Sequence, residues 1–466
     1  MEQKEASRRR LFYVYKIALV ASVGGFLFGY DLVIISGALL FIDQSFELTT
    51  AMKGFAVSSA VLGAIAGPLI GLWFADRIGR RKTMMLAAVF FMISTIGCAF
   101  ATSILNLCFW RFLGGIGIGL AMMSSPIYIA ELSPPEMRGR LVNINQLSNV
   151  IGINLAVIVS YLLSFDENWR LMFGTQGVPV LFLIIGLLLI PESPRWLIQK
   201  GRASEALDIL TRINGEAKAH EELKEIREKL KETTGSSGEL LKPGIRKALF
   251  IAIVLMIFSQ INGVNMMLLY APTIMSAAGI NVGSNAILSS IPVYLFIFVC
   301  TLLAFPLISR YSRRSLLIAS VSMMAVGHVM MWAVLELEMP PLYTLIPMLT
   351  GTGAFTLGFA PLSWVIVSEI FPNKLRSKAL AIVCFFLYAA SFSIAQIFPA
   401  MMQWFSLKFN SHGGMYLLFA LVCIVCAVFS WRMVPETKGL SLEKIGEFWL
   451  NKKPKKLNAH KRTLSV

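Results

Sequence analysis

The sequence predicts an all-α membrane protein: twelve transmembrane helices in two pseudo-symmetric six-helix bundles, joined by a short cytoplasmic helical linker. Three observations carry this expectation. Hydrophobic residues make up 56% of the 466 and charged residues only 15%, far from the average of globular domains. Twelve apolar stretches each reach the length that crosses a bilayer. Short motifs of the first half recur in the second half at the same turns. Backbone in lipid has to satisfy its own hydrogen bonds, so segments of this length are helices rather than strands.

The stretches, spans 1 to 12, run over 14–40, 54–74, 83–101, 104–130, 141–163, 171–190, 247–276, 285–308, 315–335, 342–368, 377–402 and 413–433. The first six fall in an N-terminal bundle, 1–199, and the last six in a C-terminal bundle, 246–440. The polar linker between them, 200–245, shows helical apolar spacing over Ser204 to Ile213 and Glu216 to Lys231, before Thr233-Thr-Gly-Ser-Ser-Gly breaks the run. Two readings of it stand open: a tether of solvated helices, or a latch on the inner ends of both halves. Glu/Lys pairs at helical spacing need no partner beyond water, which suits the tether. Residues 441–466 read as a cytoplasmic tail, basic and disordered from Asn451.

The net charge of +16 invites a nucleic-acid reading, but its distribution excludes one. With twelve spans, the outer loops together hold only Lys53, Arg170 and Lys408. The other basic residues, Arg111 apart, fall at the termini and the even-numbered turns, as in Arg8-Arg9-Arg10, Arg77 to Lys82, Arg138 with Arg140, Arg310 to Arg314, and Lys374 to Lys378. This is the positive-inside pattern, and it puts both termini in the cytoplasm. The first apolar stretch is too long for a signal-peptide core and carries Asp31, so it reads as an uncleaved span. All six cysteines lie within spans, where they pack as small apolar residues; Cys423 and Cys426 have redox-like spacing but sit mid-helix without other ligands. No nucleophile–base pair, metal-ligand cluster or phosphate loop is evident, so the sequence offers no enzyme, metal or cofactor reading. Gly114-Gly115-Ile-Gly117-Ile-Gly119 looks like a phosphate loop only superficially: it lies inside a span with no preceding strand, and close helix packing accounts for it.

The internal repeat is specific. Glu131 matches Glu369 and Arg138 matches Arg376 at one common offset, Gly79-Arg-Arg-Lys matches Ser312-Arg-Arg-Ser, and Pro191-Glu-Ser-Pro matches Pro435-Glu-Thr-Lys. Parallel six-span repeats are the architecture of rocking-bundle transporters, with the solute at the midplane between the halves. Within this frame Asp31 stands out, because a carboxylate inside an apolar span is expensive and calls for a partner. With span 1 running outward and span 4 inward, Asp31 and Arg111 each lie roughly 12–15 Å below the outer surface at 1.5 Å per residue. A buried acid that meets a buried base in a helical bundle is a simple device for coupling a proton to a conformational change. The same pair also admits a purely structural role, since buried ion pairs contribute little net stability and can simply specify packing.

The motifs Gly25-Phe-Leu-Phe-Gly-Tyr-Asp31, Gly71-x-x-x-x-Asp76-Arg-x-Gly-Arg-Arg81-Lys82, Arg111-Phe-Leu-Gly-Gly, Tyr128-Ile-Ala-Glu131 with Arg138-Gly, Pro191-Glu-Ser-Pro-Arg-Trp-Leu197, Gln260 with Asn265, Trp364 with Glu369 and Arg376, and Pro435-Glu-Thr-Lys-Gly439 span nearly the whole chain. As a set they resemble the sugar porter branch of the major facilitator superfamily, which includes bacterial sugar–proton symporters and facilitative glucose transporters. The resemblance implies the major facilitator fold, a cell-membrane location and a monomer among lipids that carries a proton and a hexose- or pentose-like solute inward by alternating access. It implies that Gln146, Gln260, Asn265 and Trp364 line the sugar cavity, with Phe28, Ile153, Tyr270 and Tyr388 nearby. Sugars are rings of hydroxyls, and amide and indole groups over a flat apolar face suit them; interhelical glue is the competing role for an intramembrane Gln or Asn. Asp31 and Arg111 match the proton-coupling pair. Asp76, Arg80, Glu131 and Arg138, with Glu369 and Arg376, match charges that close the cytoplasmic side in the outward-facing state.

Departures from the family pattern bear on the substrate. Ser259 precedes Gln260 where many members carry a second glutamine, Ile297 falls near a family asparagine, and Leu387 replaces a polar position. Each lost hydrogen bond ordinarily removes about 1 kcal/mol of binding, so a smaller sugar, a deoxy sugar, a cyclitol or another small solute stays open. On the cytoplasmic side Ser309 stands where an acid is expected and Ser312 replaces glycine, which weakens the expected gate and favours an inward-facing resting state. A uniporter, an exporter of a small polar metabolite, and a non-transporting sugar sensor are the rival functions; a sensor usually needs a longer cytoplasmic tail than the roughly thirty residues here.

Overall fold

The structure, a computed structural model, describes residues 2–231, 237–280, 283–411 and 413–438. The expected tail at 441–466, Gly439, and most of the break after Lys231 lie outside the described residues. Among the described residues there is no strand, and 12 helices are long and apolar enough to cross a membrane. They are Arg8–Phe46, Thr50–Gly67, Arg80–Ala99, Ile104–Glu131, Arg138–Leu163, Trp169–Leu188, Pro243–Leu269, Ser284–Arg310, Arg313–Glu336, Pro341–Glu369, Lys378–Phe409 and Gly414–Met433, spans 1 to 12 from here on.

Their ends follow capping chemistry. Thr49, Ser103 and Ser312 accept hydrogen bonds from the backbone amides of Met52, Asn106 and Ser315, which otherwise have no helical partner. Span 11 stops at Asn410, in the left-handed conformation that asparagine tolerates at a helix C-terminus. Span 1 is longer than its apolar stretch because the helix continues through the basic residues from Arg8.

Two spans expected to be continuous are not regular. Span 7 breaks after Ile261 and resumes at Val264, and a further helix, Ala271–Ala277, follows Tyr270. Gly263 takes φ +85, and a Cβ there would fall 2.5 Å from the Phe419 ring, so only glycine fits this turn. Span 10 widens into a π-helical turn over Phe355–Phe359. Apolar length alone is blind to both irregularities, because it takes the Asn262-Gly263 turn and the π turn as parts of one long stretch.

The contacts define two compact units, built on Met1–Thr233, Leu268–Phe298 and Ala395–Ala400, and on Thr234–Met267, Val299–Ile394 and Met401–Val466 as far as these are described. In the first unit span 1 packs along span 5, and span 4 packs against spans 2 and 3. The glycine-rich run of span 4 makes that approach possible. A Cβ on Gly115 would lie 1.9 Å from the Ala60 carbonyl oxygen, and one on Gly119 would lie 2.5 Å from the Gly67 Cα. Close packing is therefore what these glycines provide. The linker helices form at Ala203–Asn214 and Glu216–Lys231. The first buries Ala206, Ile209, Leu210 and Ile213 and packs on Pro194–Gln199 and on span 1 of the same unit. In the second unit span 9 packs on spans 10 and 12, over a core that includes Leu255, Met256, Met324, Phe359, Leu362, Cys423 and Cys426.

Candidate transport site

Asp31 in span 1 and Arg111 in span 4 are both buried, and the fold brings them together with Oδ2 and Nη2 3.9 Å apart. That separation is a charge contact, too long for a hydrogen bond. Arg111 spends its Nε–H on the Ala56 carbonyl at 3.0 Å and lies over the Phe173 ring, while its Nη1 has no partner. Asp31 Oδ2 makes no hydrogen bond either. Gln176 stands beside the Asp31 carboxylate, with its Nε2 buried and unpartnered. The sequence reading missed Gln176: a single amide in the apolar run of span 6 is its only signal. Buried ionic groups that merely hold a fold are normally saturated with hydrogen bonds. This pair is held by charge and has few bonds to lose when its charge changes.

The eight residues expected around the solute separate by what they already bind. Gln146 is exposed and makes no side-chain hydrogen bond among the described residues. Gln260 and Asn265 bond only within their own segment: Gln260 Nε2 donates to Ser259 Oγ at 3.0 Å, and Asn265 Nδ2 donates to Gln260 Oε1 at 3.0 Å. None of these three amides ties one span to another, which argues against interhelical glue. Trp364 is 44% exposed, and Phe28 and Tyr388 are half-buried. Ile153 is buried against Gly29 of span 1. Tyr270 differs, because its hydroxyl donates to the Ala395 carbonyl at 2.9 Å and its ring stacks on Phe398 in the first unit. Ser259 donates to the Met256 carbonyl, and Ile297 and Leu387 are buried.

The cytoplasmic charges form one corner in each unit. In the first, Arg80 lies 3.1 Å from Glu131 and 3.2 Å from Asp76 and donates to the Ala75 carbonyl. Ser193 donates to Glu131, and the Glu192 carboxylate accepts the amides of Arg81 and Ser193. Arg138 stands apart, donating to the Ala130 carbonyl. In the second unit Arg313, not Arg376, pairs with Glu369, at 3.2 Å. Arg376 donates to the Phe371 carbonyl. Glu436 accepts the amides of Arg313 and Arg314 and the Ser312 hydroxyl. Burial works against its charge, but these hydrogen bonds, with one from the Lys438 amide, outweigh it and hold the carboxyl below the usual glutamate range. Arg313, Glu192 and Glu436 are additions to the sequence-level set. The repeat carried their signal, since Arg313 matches Arg80 and the two Pro-Glu motifs match each other.

Twelve membrane spans and a buried, underbonded acid–base pair define a multi-pass membrane transporter. Residues 17–449 match the family described as Sugar (and other) transporter, and the chain belongs to this sugar porter family of the major facilitator superfamily. It is similar to the arabinose-proton symporter of Bacillus subtilis, 38% identical over 448 residues that cover 94% of this chain and 95% of that protein. It is also similar to the D-xylose-proton symporter of Escherichia coli K12, 34% identical over 472 residues covering 94% and 96%. Among solved structures, the inward open conformation of the xylose transporter XylE from E. coli superposes with a TM-score of 0.82 at 33% identity, covering 94% of this chain and all of that one.

Proposed function

We propose that this protein is a proton-coupled symporter that carries a monosaccharide into the cell by alternating access, with a pentose as the preferred substrate class. The observation that carries the reading is the buried Asp31–Arg111 contact, whose Asp31 Oδ2 and Arg111 Nη1 are left without hydrogen bonds. Ionised Asp31 pairs with Arg111. Protonation removes the attraction and changes which arrangement of the halves is preferred, because a bound proton shifts a conformational equilibrium by its differential affinity for the two states. Gln176 presents an amide donor to the ionised carboxylate. The sugar binds to Gln146, Gln260, Asn265 and Trp364, whose polar groups are unspent or bonded only locally, with Phe28, Ile153, Tyr270 and Tyr388 around them. Asp76, Arg80, Glu131 and Arg138, with Glu369 and Arg376, form the cytoplasmic gate. The protein works as a monomer with both termini in the cytoplasm, a topology that the charge distribution of its loops supports.

Pentose specificity rests on the named relatives and on the polar positions that Ser259, Ile297 and Leu387 remove from the site. Uptake of labelled D-xylose, L-arabinose, D-glucose and myo-inositol into proteoliposomes, with and without an inward proton gradient, tests the reading. Gradient-dependent accumulation of a pentose is expected. Transport indifferent to the gradient would make the protein a uniporter, and preference for inositol would make the substrate a cyclitol.

A further inference from the structure

Span 9 holds none of the residues assigned to the solute, yet two of its polar side chains reach the irregular turns of spans 7 and 10, which do. His328 is fully buried, its ring stacked with Tyr416 and tilted against Phe419 of span 12. Its Nε2 lies 2.6 Å from the carbonyl oxygen of Asn262, at the break in span 7. A carbonyl only accepts, so the Nε2–H tautomer is the one present. The thiol of Cys423 donates to the same oxygen at 3.7 Å. The Asn262 side chain completes the turn, accepting the Val264 amide and donating to the Ser259 carbonyl, both at 2.9 Å. Gln260 and Asn265 stand on either side of this turn.

Ser320 lies eight residues before His328, on the same face of span 9. Its hydroxyl enters span 10, donating to the Ala354 carbonyl at 2.6 Å and accepting the Phe359 amide at 2.9 Å. Those two groups bracket the π-helical turn, and Trp364 follows it by five residues. A side chain inserted into the backbone ladder is a recognised cause of such irregularity, and π turns recur at functional sites. Buried backbone groups released by a helix break need partners. Here span 9 supplies them at both breaks.

We propose that His328 and Ser320 are positioning residues for solute recognition: through them span 9 fixes the turn of span 7 that aims Gln260 and Asn265, and the turn of span 10 that aims Trp364. The proposal rests on the reading that these three residues contact the sugar. Removing the His328 donor leaves the Asn262 carbonyl underbonded and frees the turn, so the amides beside it lose their orientation without being touched.

Binding of D-xylose and L-arabinose to the purified full-length protein in nanodiscs, by calorimetry, tests this. His328→Phe, which keeps an aromatic ring but no donor, should raise Kd roughly five- to tenfold, and His328→Gln, which keeps a donor, should recover most of that. In a background of Gln260→Ala with Asn265→Ala, His328→Phe should have no further effect, because the groups it orients are gone. Ser320→Ala should behave the same way toward Trp364→Ala, and it serves if His328→Phe does not fold. An equal loss in both backgrounds, or no loss from His328→Phe and Ser320→Ala, would overturn the positioning role while leaving the site intact. Unchanged affinity in Gln260→Ala, Asn265→Ala and Trp364→Ala themselves would overturn the site reading, and the positioning role with it.

Discussion

Two ion pairs of the first unit, Asp31–Arg111 and Arg80–Glu131, share the same chemistry but not the same surroundings. Arg80 has two carboxylates and a backbone carbonyl around it, with its Nε left without a hydrogen bond, and Glu131 has a serine hydroxyl as well. Asp31 and Arg111 face each other across 3.9 Å, with the Asp31 Oδ2 and Arg111 Nη1 left over. The first arrangement resists any loss of charge, because each group has bonds that depend on it. The second tolerates a change of charge, because few bonds depend on it. The same contrast separates the two cytoplasmic corners. Among the described residues Glu369 makes one ion pair, with Arg313, and its Oε2 has no hydrogen bond, whereas the matching Glu131 is held on two sides. Asp76 sits four residues before Arg80; Ser309 sits four before Arg313, its hydroxyl donating to the Pro306 carbonyl and its own carbonyl accepting from Lys438 Nζ.

The largest effect should come from breaking the more heavily bonded pair. Arg80→Met should cost about 3 kcal/mol, the lower end for breaking a buried ion pair, since part of the corner is open to water. Asp31→Asn should change stability by less than about 1 kcal/mol, because Asp31 Oδ2 has no hydrogen bond to lose and the amide resembles the protonated carboxyl that the proposed coupling requires. Thermal unfolding in one detergent compares the two directly, and equal losses would erase the distinction between a pair that holds and a pair that switches.

A second contrast lies between side chains that are spent and unspent. Gln146→Ala and Gln260→Ala should each weaken pentose binding by about 1–3 kcal/mol, since a buried sugar hydroxyl loses its partner. Neither variant should unfold the protein, because neither amide holds two spans together. Calorimetry measures this, and unchanged affinity in both would return these amides to a packing role.

Much of the fold was open to reading from sequence because bilayer crossing depends on a local property, apolar length, and the loop charges orient it. The level of Asp31 and Arg111 could be counted from helix rise alone. The bends were harder. Asn262-Gly263 carried a turn signal inside an apolar run, but the π turn of span 10 depends on a hydroxyl arriving from span 9, which no property of its own segment reveals. The partner of Glu369 follows the repeat, since Arg313 matches Arg80 and Glu369 matches Glu131, while Arg376, like the matching Arg138, donates to a backbone carbonyl. Gln176 was missed because an amide in a span has no signature until the fold sets it beside a carboxylate.

The second-unit corner permits two finer tests. Glu436 is held below its unfolded value, so the stability it contributes is fully present above the unfolded carboxyl pKa, about 4.3, and drains away as pH falls through the folded value. Glu436→Gln should cost about 1 kcal/mol at neutral pH, where charge-assisted hydrogen bonds become neutral ones. It should also flatten the dependence of melting temperature on pH below about pH 5; an unchanged slope would remove the role given to those bonds. The smallest effect belongs to Ser309→Asp, which restores the acid that Asp76 provides in the other corner. A surface pair with Arg313, across the turn between spans 8 and 9, is worth about 0.2–1 kcal/mol. A double-mutant cycle with Arg313→Met should find that coupling, and a cycle that closes additively would mean that the two corners are not equivalent.

The central claim, that Asp31 couples the proton to the sugar, is tested most directly by labelled D-xylose transport through Asp31→Asn in proteoliposomes. Without an exchangeable proton the variant should fail to accumulate sugar against its gradient under an inward proton gradient, while sugar-for-sugar counterflow continues near the wild-type rate. Full gradient-driven accumulation by Asp31→Asn would contradict the account.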